Sequence, residues 1–109
     1  LLGAISYGDI GQHFPDTSSD FKDIDSKILL QRTVELIHGE GWSVGNIDST
    51  ICMEQPKINP KVSEMIKVLS PILNIEPNQL SIKATTNEKM GFVGKEEGVA
   101  VYAVCILLK

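Results

Sequence analysis

Two polar segments carry side chains from which chemistry could be built. In Ala84-Thr85-Thr86-Asn87-Glu88, two hydroxyls, an amide and a carboxylate follow one another at the end of an alternating apolar run. Hydroxyls and amides donate hydrogen bonds to phosphate oxygens, and a carboxylate holds a hard divalent cation. A plain turn is the competing reading, because the same residue types populate turns. Gly8-Asp9-Ile10-Gly11 sets a carboxylate between two glycines, where it can approach a sugar diol closely; by itself this is a weak signal.

Other constellations fail on their spacing. The stretch from Gly91 to Gly98, GFVGKEEG, lacks the GxxxxGK spacing of a phosphate loop and has Glu96 where Ser or Thr would be needed for magnesium. Asp16, Asp20, Asp23 and Asp25 lack the mid-loop Gly and closing Glu of a calcium loop, and read as a solvated acidic face. His13 lies near Asp9 and Asp16, but one histidine makes a poor metal site, and His38 falls at a helix end. Cys52 and Cys105 sit in apolar runs as free thiols, which favours a reducing compartment.

These residues must be positioned by a few elements. Leu1 to Tyr7 reads as the last turns of a helix, stopped by Gly8 and followed by a long acidic loop. From Ser26 the pattern is helical, with Asp25 or Ser26 as N-cap and Leu29, Leu30, Val34, Leu36 and Ile37 on one face before Gly39. Trp42 to Glu54 alternates as a half-covered strand, with Ile47, Ile51 and Met53 on one side and Val44, Asn46, Asp48 and Thr50 on the other. Asn59-Pro60 opens a second helix carrying Val62, Met65, Ile66, Leu69, Ile72 and Leu73, which Pro71 bends or shortens. Leu80 to Thr85 is a short strand, and Val99 to Leu108 is an apolar run that predicts a strand covered on both faces. The order predicts one α+β domain over residues 1–109, with helices on one face of a mixed sheet. The other face is left for an oligomer that packs sheet against sheet.

Composition narrows the partners. The 109 residues hold 10 Lys+Arg against 14 Asp+Glu, a formal net charge of −4, so no basic stripe is available for nucleic acid. No run approaches the roughly 20 apolar residues of a membrane span. The chain opens at Leu1 without an initiator Met, already inside an apolar stretch, as though a segment preceded it.

GDIGQHFPDT, DSKILLQ, VGNIDSTI, QPKI and IKATTNEKMGFVGKEEG, in this order and spacing and followed by the terminal strand, resemble the 2-C-methyl-D-erythritol 2,4-cyclodiphosphate synthases of the non-mevalonate isoprenoid pathway over essentially the whole chain. The resemblance implies a homotrimer with sheets facing one another around a threefold axis and active sites at the subunit boundaries. It implies a phosphorus–oxygen lyase that closes 4-diphosphocytidyl-2-C-methyl-D-erythritol 2-phosphate to the cyclic diphosphate and releases CMP, using zinc together with magnesium or manganese. A bacterial cytoplasm or a plastid-type organelle is the implied compartment, with neither nucleic acid nor membrane as partner. A trimeric nucleotide-binding module without catalysis is the alternative.

Residue by residue, the resemblance assigns Asp9 and Gly11 to the ribose, with Ile10 between them lining the site. Phe14, Pro15, Asp16, Thr17 and Ser18 correspond to a flexible lid over the erythritol phosphate. Met53, Glu54, Gln55, Pro56, Lys57, Ile58 and Asn59 correspond to a cytosine pocket given by the neighbouring subunit, and Ala84 and Thr85 to nucleotide contacts. Thr86 corresponds to the hydroxyl that stabilises phosphate charge in the transition state, with Asn87 beside it, and Glu88 to the ligand of magnesium or manganese. Phe92 and Lys95 match positions on the phosphate side or the central channel, Lys95 standing where an arginine is common. The family's zinc ligands, an Asp-x-His on a first strand and a later His, have no counterpart in this chain, so they are expected ahead of Leu1.

Overall fold

The computed structural model describes residues Leu1–Lys109. At the front, a single 3-10 turn at Gly3–Ile5 ends at Ser6, which takes a left-handed φ of 58°. A four-residue helix, α1 (Ile10–His13), then interrupts the predicted loop; the Asp9 carboxylate caps it by accepting the Gln12 N–H at 3.0 Å.

Asp25 starts α2 (Ser26–Gly39) in the same way, accepting the Lys27 N–H at 2.8 Å. That hydrogen bond, with the Lys27 charge beside it, holds the Asp25 carboxyl below its ordinary value of 3.8. A depressed carboxyl pKa adds stability that is present above the ordinary value and is lost as pH falls through the folded one. Asp25→Ala is therefore expected to lower the thermal midpoint at neutral pH, and wild type and variant should converge in acid below both pKa values. Parallel melting curves at neutral and acid pH check this.

β1 (Ser43–Cys52) follows and leads through a 3-10 turn at Asn59–Lys61 into α3 (Val62–Leu73). Pro71 sits in the last turn of α3 without ending it; Asn74, at φ 56°, closes the helix, and Ile75 N donates back to Ser70 O at 3.1 Å. β2 (Leu80–Thr85), a short helix α4 (Gly91–Gly94) and β3 (Ala100–Leu108) complete the chain.

The sheet order is β2-β1-β3, with β1 parallel to β2 and antiparallel to β3. Both helices pack on one face. Val34 of α2, Leu73 of α3 and Leu80 of β2 are buried together, with Leu30, Ile47, Ile66, Leu69 and Ile82 packed around them. Burying side chains of this size contributes about 1.5–3 kcal/mol each.

One strand expectation needs correction. Val44 is buried, not on the polar side with Asp48: β1 carries a bulge between Val44 and Asn46 that reverses the alternation. Gly45 permits it, since a Cβ there would lie 3.0 Å from the Ile106 carbonyl oxygen. Within the chain, β3 leaves open the sheet face that the sequence reading left for an oligomer. Tyr102, Val104, Ile106 and Leu108 alternate onto the face away from the helices and are exposed, Val104 by 70% and Ile106 by 61%. Val101, on the helix side, is exposed as well, because α2 and α3 lie over β1 and β2.

Candidate functional site

The parallel pairing of β1 and β2 puts the carboxyl ends of two strands side by side, where ligands of α/β units commonly bind. Cys52 pairs with Thr85, and Met53 N donates to Thr85 O at 3.0 Å, so the ladder continues one residue beyond β1. From that edge the two chains diverge. Between them lies a pocket of about 100 Å³ lined by Met53, Lys57, Ile58, Asn59, Ala84, Thr85 and Thr86. Six of the seven are residues assigned by resemblance to the nucleotide, and the seventh, Thr86, to the phosphate charge. The cytosine segment and the Ala84–Thr86 strand end thus meet within one chain.

Beyond the pocket the chain makes a tight turn. Glu88 and Lys89 both adopt left-handed backbone, at φ 51° and 65°, and Met90 N donates to Asn87 O at 2.9 Å. Non-glycine residues in this region cost about 1–3 kcal/mol each and persist only where their surroundings hold them there. Two contacts hold this turn. The Glu54 carboxylate crosses from the end of β1, and its Oε1 accepts the Asn87 N–H at 2.8 Å and the Lys89 N–H at 3.4 Å. Gly94 of α4 packs against the Lys89 backbone so closely that a Cβ there would overlap it. Glu54 therefore faces the turn and does not line the pocket; Gln55 and Pro56, joined by a cis bond, are exposed beside it.

Thr86 is half-buried at the pocket rim and Glu88 is exposed. The ion pairs of the chain are Lys27–Asp25, Lys61–Glu64 and Lys83–Asp48, none of which engages Glu88. Magnesium keeps several waters and binds through one or two carboxylates together with substrate phosphates. One exposed carboxylate following the Thr85 and Thr86 hydroxyls along the chain fits that chemistry. Zinc is different: no three His, Cys, Asp or Glu side chains converge to hold a metal ion. His13 Nε2 lies 2.7 Å from the Tyr7 carbonyl oxygen, and His38 is exposed at the end of α2. The residues of this chain do not fit a zinc ion.

The other assigned residues lie in two separate grooves. Asp9 and Ile10, with Gly8, line one of about 410 Å³ against Leu29, Leu30 and the first three residues. Phe14 lines another of about 440 Å³ with His13, Arg32, Glu35 and Glu40. Between them, aromatic contacts fix the start of the 14–18 loop. Tyr7 stacks on His13 with centroids 5.0 Å apart, Phe14 meets Phe21 edge-on at 5.4 Å, and Arg32 lies over Phe21 at 5.7 Å. The Tyr7 hydroxyl donates to Glu40 at 3.2 Å, and that carboxylate holds the phenol above its ordinary pKa. Asp16 and Thr17 are exposed past this anchor, with Pro15 and Ser18 half-buried. Phe92 and Lys95 are exposed on the far side of the turn, the Phe92 ring against Gly98. Glu54 was assigned to the cytosine pocket and not to the turn, and neither Gly94 nor the Tyr7–Glu40 contact was singled out from sequence; no local pattern announces these contacts.

Comparison with known proteins agrees with this geometry. A model of the YgbB family matches residues 1–108. The chain is 52% identical over 109 residues to 2-C-methyl-D-erythritol 2,4-cyclodiphosphate synthase of Pseudomonas syringae pv. syringae, covering all of this chain and 69% of that protein. It is 53% identical over 107 residues to the synthase of Prosthecochloris aestuarii, covering 98% of this chain and 68% of that protein. Among solved structures, IspF of Plasmodium falciparum in complex with CDP superposes with a TM-score of 0.85 at 33% identity, over 98% of this chain and 64% of that one. The bifunctional IspDF of Campylobacter jejuni gives 0.92 at 35% identity, over 97% of this chain and 29% of that one. The chain thus spans about two thirds of the length of the curated relatives it matches. On the family model, the identities and the shared fold together, this chain belongs to the YgbB family of 2-C-methyl-D-erythritol 2,4-cyclodiphosphate synthases.

Proposed function

We propose that the protein carrying this chain converts 4-diphosphocytidyl-2-C-methyl-D-erythritol 2-phosphate to 2-C-methyl-D-erythritol 2,4-cyclodiphosphate and CMP. The observation that carries this reading is the pocket between the ends of β1 and β2, formed by residues matching the family's nucleotide contacts together with Thr86, with Glu88 two residues further along the same turn. In the reaction an oxygen of the 2-phosphate forms a bond to the β-phosphorus. The bond from that phosphorus to the oxygen bridging to the α-phosphorus breaks, and CMP leaves with the electron pair. Such an intramolecular transfer needs positioning and charge neutralisation more than covalent help. The pocket has room for a pyrimidine ring. Anchoring the base there directs the diphosphate over the Thr86–Glu88 turn, where the Thr86 hydroxyl donates to charge developing on the phosphate. Magnesium or manganese, when bound at Glu88, neutralises diphosphate charge. Zinc has no ligands among these residues, and no step is assigned to it.

The same reading takes the protein to be a homotrimer assembled through the exposed face of β3. Assembly covers that apolar row and sets the Asp9 groove and the 14–18 loop of one subunit toward the pocket of the next. Titration of the full-length protein with CDP, followed by amide chemical shifts, tests the site. The largest shifts are expected at Met53, Lys57–Asn59 and Ala84–Thr86; shifts confined to other surfaces would remove the assignment. Glu88→Gln is expected to weaken magnesium-dependent CDP binding about tenfold, with CMP binding unchanged without metal. Unaltered metal dependence would strip Glu88 of its role.

A further inference from the structure

We infer that Glu54 is a positioning residue for the phosphate turn, acting through the Asn87 amide and not through the nucleotide; this rests on the function proposed above. Glu54 is half-buried at the end of β1, and its carboxylate lies outside the pocket that its neighbours Met53 and Lys57 line. Its Oε1 instead accepts the Asn87 N–H at 2.8 Å, and that of Lys89 more weakly at 3.4 Å. Amides on either side of residues in left-handed backbone point the same way and form a concavity that favours an anion. Here the Glu54 carboxylate supplies the negative charge. Glu88 itself sits at the centre of the turn, at φ 51°, between the two amides Glu54 holds.

The consequence is directional. With the concavity already occupied, the backbone amides of Asn87 and Lys89 are turned toward Glu54 and away from substrate, leaving the side chains of Thr86 and Glu88 to meet the diphosphate. The same contact ties the turn to the strand end from which the base pocket is built. A charge-assisted hydrogen bond of this kind sets the distance between base and phosphate sites without touching either. Thr86 and Glu88 would then be placed correctly for turnover only while Glu54 accepts, whereas the base pocket stands without it.

The test uses full-length wild type, Glu54→Ala and Glu54→Gln, with kcat, CMP affinity without metal, and hydrogen exchange at the Asn87 amide. Glu54→Ala is expected to speed Asn87 exchange at least tenfold and to lower kcat about ten- to hundredfold, with CMP affinity within twofold of wild type. Glu54→Gln keeps an acceptor at Oε1 and is expected to recover most of both losses. Wild-type exchange at Asn87 in Glu54→Ala would overturn the inference. So would CMP affinity falling in step with kcat, which would make Glu54 a ligand contact, or a Gln variant as impaired as the Ala one. A wild-type protein that neither binds CMP nor releases it from substrate defeats the proposed function, whereas Asn87 exchange still decides whether Glu54 holds the turn.

Discussion

Replacing Ile106 by aspartate is expected to leave the protein monomeric, breaking the proposed trimer, and to abolish the proposed turnover. Ile106 is 61% exposed in the chain, on the sheet face away from the helices, and pairs with Asn46 across β1. Its replacement by a carboxylate introduces no like charge directly opposite, and a surface change of this kind usually alters the stability of an isolated chain by no more than about 0.5 kcal/mol. In a threefold sheet-to-sheet contact the same change buries three carboxylates without partners, at several kcal/mol for each ion. Sedimentation should show monomers at micromolar concentration with strand and helix content retained. A trimer that persists would mean this face is not the contact. Monomers with full activity would mean the site is complete within one subunit.

Thr86→Val carries the second large effect. Valine is close to isosteric with threonine, so the strand end and pocket wall keep their shape while the hydroxyl is lost. Removing one preorganised donor aimed at developing charge typically lowers kcat by about 10²–10³-fold. CMP affinity should change by less than twofold, since the other six lining residues are untouched and valine keeps the shape of the wall at Thr86. Equal losses in kcat and CMP affinity would place the hydroxyl in ground-state binding. Measuring both on the same preparation separates the two cases.

The elements that position the site were legible where a local pattern decides them. The Asp25 cap and the apolar face of α2 follow from hydrogen bonding and a 3.6-residue period, and both stand in the structure. Leu80 to Thr85 alternates and forms β2 over that same span. The unpartnered sheet face followed from counting helices against strands. What failed to show depends on contacts far along the chain. The bulge at Gly45 reversed the side on which Val44 lies, because its cause is the Ile106 backbone some 60 residues away along the chain. The apolar run of β3 recorded that cover is needed on both faces, but by itself not which molecule supplies it. At the site, types and order identified the residues of the pocket through a family resemblance. Neither predicted that Glu54 would turn to the Asn87 amide, since a carboxylate in a polar loop has no periodicity to place it.

The central claim is the reaction itself, and its most direct measurement is release of CMP from 4-diphosphocytidyl-2-C-methyl-D-erythritol 2-phosphate by the full-length protein supplied with zinc and magnesium. The account predicts one CMP and one 2-C-methyl-D-erythritol 2,4-cyclodiphosphate for each substrate consumed, with release abolished in Ile106→Asp and reduced about 10²–10³-fold in Thr86→Val. CMP that binds to the wild-type protein without any turnover would contradict it, and would leave a nucleotide-binding trimer in place of a synthase.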